Sequence, residues 1–318
     1  ETEELSLGLL TSPHVLPMIR RLPETARFGS LVLRDYVNRV DPTRDEQSSA
    51  LTIELPDGVR FVSFRGTDDT ITAWKEDFLL SVWNVIPAQK DAADYLVREA
   101  KEKPGGLMVG GHSKGGNLAV FASLVAPRAV QERILAVYNN DGPGFKRDLT
   151  SAPGYVRLKL KLHTIVPQHT IVGKLQHHEN DCAIVKSDQA GMAAHDGFNW
   201  EVLGTQFVRC ADYSIWSKAF ETAITEIEEQ MDMDDRREFI EELFAILTST
   251  GAVTLTDLTE RRLRQALELA QGVRKSPEVR RFIQNLLTLT ASGVVSNARI
   301  SVPIPKFRGS RKKNEENS

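Results

Sequence analysis

One short stretch limits what this chain can fold into more than any other: Gly111-His112-Ser113-Lys114-Gly115, preceded by the apolar run Leu107-Met108-Val109-Gly110 and followed by Gly116-Asn117-Leu118-Ala119-Val120-Phe121-Ala122. The order reads strand, sharp turn, helix, with a serine at the tip. Such a turn brings strand and helix so close that the positions two residues to either side of the serine must lack side chains, and its backbone lifts the hydroxyl into a cleft at the carboxyl edge of a sheet. The bare Gly-x-Ser-x-Gly pattern says little in a chain with 21 glycines, where an ordinary strand-helix turn is the alternative. The β-rich run before it, the third glycine Gly116 and the Ala/Leu/Val helix after it supply the context a nucleophile elbow requires.

The flanking sequence extends the pattern. Ser49 to Leu55 alternates like a strand, Pro56-Asp57-Gly58 is a turn, and Val59 to Phe64 is a second strand, which together predict a β-hairpin. A helix from about Ala88 to Lys101 leads through Pro104-Gly105-Gly106 into the elbow strand, and Arg133 to Tyr138 reads as a further buried strand. Beyond it, Val156 to Thr164 reads as a strand, Cys182 to Val185 as a short one, and Asp212 to Gln230 as a helix. Alternating βαβ units around Ser113 imply an α/β fold of the hydrolase type, a mainly parallel sheet covered on both faces with the antiparallel hairpin on one side.

The chain's 318 residues are expected to divide into an α/β-hydrolase domain over 1–230, a helical C-terminal region over 231–307 and a disordered polar tail over 308–318. In the helical region Phe239, Ile240, Leu243, Phe244 and Leu247 recur at helical spacing up to Gly251, and further helices are expected over 257–271 and 277–290. Its basic residues, Arg261, Arg262, Arg264, Arg274, Lys275, Arg280 and Arg281, offer a basic face for an acidic partner as one reading, but they are interleaved with Glu260, Glu268 and Glu278, and a solvated surface is the favoured one.

Forty basic and 43 acidic residues leave a net charge of −3, so no nucleic-acid partner is expected. Two cysteines, Cys182 and Cys210, fit a reducing compartment. No apolar run is long enough for a transmembrane segment and the first residues are acidic, so a cytoplasmic protein is expected, with a leader trimmed ahead of Glu1 left open as the alternative. Oligomeric state is not assigned.

A serine hydroxyl attacks at neutral pH only with a base in reach and a carboxylate to orient that base. In α/β-hydrolases the order along the chain is serine, acid, histidine. Asp141 follows the strand after the elbow helix, which in a parallel sheet puts it on the same edge as Ser113; as a residue of Asp-Gly-Pro-Gly it also reads as a turn aspartate, and Asp181, Asp188 and Asp196 compete with it. Of His163, His169, His177, His178 and His195, the last lies in a loop after the final strand signal, where the base is expected. His112 adjoins the serine but is expected to point elsewhere and pack or hydrogen-bond beside it. Two amide donors are needed for an oxyanion: the N–H of Lys114 is one, and the loop Phe64 to Thr70 offers the other at Thr67. The Lys114 side chain reads either as a positive rim favouring an anionic substrate or as an internally paired group.

The cluster His177-His178-Glu179-Asn180-Asp181-Cys182 holds metal-ligating residue types, but adjacent residues on extended chain point to opposite sides and no second cluster accompanies it, so no metal is expected. Phosphate-loop and dinucleotide fingerprints are also missing, and no cofactor is expected.

Phe64-Arg65-Gly66-Thr67, Gly111-His112-Ser113-Lys114-Gly115-Gly116-Asn117, Asn140-Asp141-Gly142-Pro143-Gly144-Phe145 and His195-Asp196-Gly197-Phe198-Asn199-Trp200 stand in the order in which the chain resembles the bacterial Mbeg1-like family over roughly residues 5 to 225. That family looks like a branch of the class 3 lipase-like α/β-hydrolases. The resemblance implies a serine hydrolase with Ser113 as nucleophile, His195 as base and Thr67 with Lys114 as oxyanion donors. Class 3 lipases usually carry the acid in Asp-x-Val-Pro, whereas this chain has Thr164-Ile165-Val166-Pro167; either Asp141 has taken over from the preceding strand, the favoured reading, or the site is impaired. The expected activity is cleavage of an acyl ester, on a small-molecule or lipid substrate. The alternatives are a non-catalytic hydrolase-like binding protein and an acyltransferase, amidase or thioesterase using the same site.

Overall fold

The computed structural model describes residues 12–178 and 181–260, together with Val273, Ser276, Val279 and Arg280. After a short helix α1 (Val15–Arg21), the chain forms strands β1 (Val32–Asp41), β2 (Glu46–Glu54) and β3 (Arg60–Phe64), helices α2 (Ile71–Leu79) and α3 (Pro87–Glu102), and β4 (Leu107–His112). Helices α4 (Lys114–Val125) and α5 (Arg128–Gln131), β5 (Ile134–Asn140), α6 (Pro153–Leu158), β6 (Leu162–Pro167) and β7 (Cys182–Val185) follow. A two-stranded ribbon, β8 (Val202–Leu203) with β9 (Gln206–Phe207), precedes α7 (Ile215–Gln230), α8 (Met233–Thr248) and α9 (Leu255–Glu260).

Strands β1 to β7 make one sheet in sequence order. The expected hairpin is β2–β3, closed by Gly58 at φ 81° and by Asp57, whose carboxylate accepts the Val59 N–H at 3.0 Å. From β3 to β7 every neighbouring pair is parallel. Phe64, Gly111 and Asn139 lie in register across β3, β4 and β5, so the loops after these strands leave from one edge. The architecture is that of the α/β-hydrolases.

Alternate residues of the central strands, Val62 and Phe64, Leu107 and Val109, point to one face and meet α3 and α4 in the main core. Leu96, Leu107, Leu118 and Ile134 are fully buried there, each contributing about 1.5–3 kcal/mol relative to exposure. The helical spacing of residues 239–247 is realised in α8, where Ile240 and Phe244 are buried in a second apolar cluster against Ile71 and Leu79 of α2.

Two features differ from expectation. Residues 156–164 are not one strand: Pro153 opens α6, a 3-10 turn spans Lys159–Lys161, and β6 begins only at Leu162, where pairing with Val137 of β5 starts. Val156 and Leu160 mimic strand alternation with Leu158, but only Leu158 is buried while Leu160 is 88% exposed. In addition, β1 escaped the sequence reading because it is exposed along nearly its whole length, leaving no buried face to impose a period. Helix α9 falls at the start of the helix expected over 257–271; the rest of that helix, nearly all of 277–290 and the tail 308–318 lie outside the described residues. Among the described residues no helix is long and apolar enough to cross a membrane.

Candidate active site

Ser113 sits between β4 and α4 at φ 58°, ψ −135°, a conformation that L-residues rarely adopt. Its amide donates to the Asn140 carbonyl at 2.9 Å, which fixes the turn to the end of β5. A Cβ at Gly111 would strike the Gly115 backbone, and one at Gly115 would strike the Phe64 carbonyl, so strand, helix and the loop after β3 touch through these glycines. Ser113 itself is half-buried.

Asp141 follows β5 and also takes a positive φ of 50°. Its amide donates to the Ile165 carbonyl of β6 at 2.8 Å, and the side chain is fully buried. Both carboxylate oxygens are engaged: Thr170 Oγ1 donates to Oδ1 at 2.6 Å, and His195 Nδ1 donates to Oδ2 at 2.6 Å. Gly173 leaves room for that carboxylate, since a Cβ there would collide with Oδ1. Thr164, the residue in the acid position implied by the resemblance, is instead a buried β6 residue paired with Asn139 and Cys182.

His195 ends a 3-10 turn, Gly191–His195, and is 9% exposed. The turn is held by the Trp200 indole N–H, which donates to the Ala194 carbonyl at 2.8 Å. His112 does pack beside the site: its ring lies 4.4 Å from the His195 ring, and Nε2 donates to the His195 carbonyl at 2.7 Å. Burial first, and the neighbouring His195 second, push the His112 imidazole down to about 4, so it stays neutral near pH 7. With Nδ1 of His195 committed to Asp141, Nε2 is the ring nitrogen left for chemistry. Among the described residues Ser113 Oγ makes no hydrogen bond in this resting arrangement.

The other candidates are elsewhere. His163 stacks on Tyr138, His169 bonds Gln168, the His177 backbone pairs with Phe145, and His178 Nε2 bonds the Leu175 carbonyl. Asp181 and Asp188 are exposed, and Asp196 caps the Phe198 amide at 3.0 Å.

On the opposite side of Ser113, Gly66 lies so close that an added Cβ would sit 3.1 Å from Ser113 Cβ and 2.8 Å from the His112 carbonyl oxygen. Thr67 follows, its hydroxyl donating to the carboxylate of Asp77 on α2. Asp77 was not foreseen; the only hint is a carboxylate two turns into a helix that opens with the N-cap Thr70. Burial pushes the Asp77 carboxyl up to about 6, against the pull of Lys114 and the Thr67 hydroxyl.

The Lys114 side chain forms no positive rim. It runs inward, 1% exposed, and Nζ donates to Glu76 Oε2 at 2.9 Å, Gln47 Oε1 at 2.7 Å and the Gln47 carbonyl at 3.0 Å, with Asp77 Oδ1 at 3.8 Å. Its backbone N–H belongs to the first turn of α4, whose amides have no partner within the helix and attract negative charge. Among the described residues three metal-ligating groups converge at Asp35, Glu99 and Glu102, away from Ser113, and Arg98 and Arg60 stand 3.6 and 3.9 Å from the Glu99 carboxylate.

Solved structures similar to the chain include M37 lipase (18% identity, TM-score 0.38, 50% of this chain and 62% of that one) and a Rhizomucor miehei lipase propeptide complex (15%, 0.37, 50% and 56%). A triacylglycerol lipase from Penicillium expansum is 12% identical, with a TM-score of 0.38 over 64% of this chain and 86% of that one. The chain thus spans less than two thirds of the first two lipases. No curated protein matches it significantly in sequence. The Mbeg1-like family model matches residues 22–245, well over half of the chain, and the protein therefore belongs to the Mbeg1-like family.

Proposed function

We propose that the protein is a serine hydrolase that cleaves an acyl ester through an acyl-enzyme on Ser113. The observation that carries this reading is the hydrogen bond between His195 Nδ1 and the buried, doubly bonded carboxylate of Asp141, beside a serine held in the strained elbow conformation. Such a carboxylate fixes the tautomer that leaves Nε2 as a base and stabilises the imidazolium formed when Nε2 takes the serine proton.

In the first half-reaction His195 Nε2 removes the Ser113 proton as Oγ attacks the acyl carbonyl. The tetrahedral oxyanion is received by the N–H groups of Thr67 and Lys114. Collapse expels the alcohol, which takes its proton from His195. Water, activated by the same imidazole, then attacks the acyl-serine and releases the acid.

A fluorophosphonate probe tests the reading, because it labels only an activated serine. Wild type should react and Ser113→Ala should not; an inert wild type overturns the proposal in favour of a non-catalytic ligand-binding protein. The unbonded Ser113 hydroxyl of the resting site is the observation behind that second reading. Product analysis with added alcohols or amines separates hydrolysis from acyl transfer.

A further inference from the structure

Helix α2 braces both amide donors, since Asp77 receives the Thr67 hydroxyl and its neighbour Glu76 receives Lys114 Nζ. With nine residues, α2 depends on its surroundings to stay in place. On its inner side Glu76 accepts the Gln47 and Ala88 amides at 3.1 and 2.9 Å. Its outer side is held by residues from the far end of the described chain.

Three kinds of contact make that grip. Ile71 and Leu79 share an apolar cluster with Ile240, Phe244 and Ala252, and the Phe78 and Phe244 rings meet edge to face at 5.4 Å. Lys75 Nζ lies 2.8 Å from Glu241 on α8. The segment before α9 also pairs antiparallel with the start of α2: Ile71 N donates to the Val253 carbonyl at 2.9 Å, Leu255 N to the Asp69 carbonyl at 2.9 Å, and Thr254 bridges Thr70. Asp69 is only two residues from Thr67. Asp257 ties the segment into a rigid turn by accepting the Val253 and Thr254 amides, each at 2.9 Å.

We propose that α8 and residues 252–257 are a positioning brace for the oxyanion loop, holding the Thr67 amide against Ser113 by clamping the loop's exit into α2. The inference rests on the reading of Ser113 as nucleophile. Donors fixed before the reaction need no reorganisation during it, so a looser loop slows the acyl-transfer steps more than it weakens substrate binding.

Two brace variants and one control test this in the full chain. Leu255→Pro deletes the N–H that bonds Asp69, at a first helical position that accepts proline; Phe244→Ala loosens the apolar cluster. Leu158→Ala lowers stability in the main core, outside the apolar cluster that α8 shares with α2. Hydrogen exchange of peptides covering 65–79 and turnover of p-nitrophenyl butyrate are measured below the melting range. Both brace variants should speed exchange in 65–73 and lower kcat roughly ten- to a hundredfold with KM within about twofold, whereas Leu158→Ala lowers Tm and leaves kcat near wild type. Unchanged exchange, wild-type kcat despite faster exchange, or an equal kcat loss in Leu158→Ala overturns the brace. A wild type inert to both ester and fluorophosphonate defeats the hydrolase reading instead, and the exchange measurement alone then decides the brace.

Discussion

Lys114 Nζ lies 2.9 Å from Glu76 Oε2 with both side chains sealed from solvent, at 1% and 0% exposure. A buried pair of this kind is strongly asymmetric: removing one partner strands the other charge at a cost of about 3–5 kcal/mol, while replacing both with apolar groups is often neutral. Lys114→Met and Glu76→Leu should each lower the unfolding free energy by about that amount, and the double variant should lose less than the sum of the two without full recovery, because the Gln47 and Ala88 amides lose their Glu76 acceptor and the Gln47 oxygens lose Lys114 Nζ. Urea denaturation of all four proteins checks the cycle, and additive losses would show that the pair is not coupled.

Asp141→Asn tests the orienting acid. An amide of the same shape favours the wrong imidazole tautomer, so kcat should fall by about 10⁴-fold with the fold intact. Asp181→Asn and Asp188→Asn, at exposed positions, should leave turnover near wild type. Steady-state kinetics on a chromogenic ester reads all three, and normal turnover of the Asp141 variant would remove it from the mechanism.

The elbow was legible because its glycines encode a backbone constraint that is local: close approach of β4, α4 and the loop after β3 leaves no choice of residue. Asp141 was legible at one remove, since a parallel sheet delivers the end of β5 beside the end of β4. What the sequence could not supply is who meets whom across the chain. Thr170 and Asp77 are ordinary residues until the fold places one against Asp141 and the other against Thr67. The direction of Lys114 depended on Glu76 and Gln47, which lie 38 and 67 residues away. Residues 156–164 misled for a related reason, because alternating apolar residues fit a strand until the register with β5 excludes the first six.

Asp77 should make stability depend on pH in a defined direction. Its carboxyl titrates near 3.8 in the unfolded chain and is pushed up to about 6 in the fold, chiefly by burial. The folded state therefore holds a proton that the unfolded state has released, a contribution that is full below pH 3.8 and is lost as pH rises through about 6. Glu46, raised to about 7 by burial, acts in the same direction, and His112, lowered to about 4, acts in the opposite one. Comparison with Asp77→Asn isolates the single group. From about pH 4 to pH 7 the stability difference should move in favour of the variant by about 1–3 kcal/mol and then level off. A flat difference across that window would mean that the carboxyl ionises normally in the fold.

Gly115 and Gly197 make opposite predictions for the same substitution. A Cβ on Gly115 would collide with the backbone carbonyl of Phe64, in the strand that leads into the Thr67 loop, and a main-chain oxygen has no rotamer by which to escape. Gly115→Ala should therefore push β3 and α4 apart, destabilising the protein by about 1–3 kcal/mol or more, and should slow fluorophosphonate labelling of Ser113 even in the fraction that remains folded. Gly197, between His195 and Phe198, has no atom within 4 Å of an added Cβ and does not take the left-handed backbone region. Gly197→Ala should keep both Tm and labelling rate near wild type. Thermal unfolding and labelling on the two purified variants decide the point, and equal behaviour would show that the tight contact of β3 with α4 is not what holds Ser113 in place.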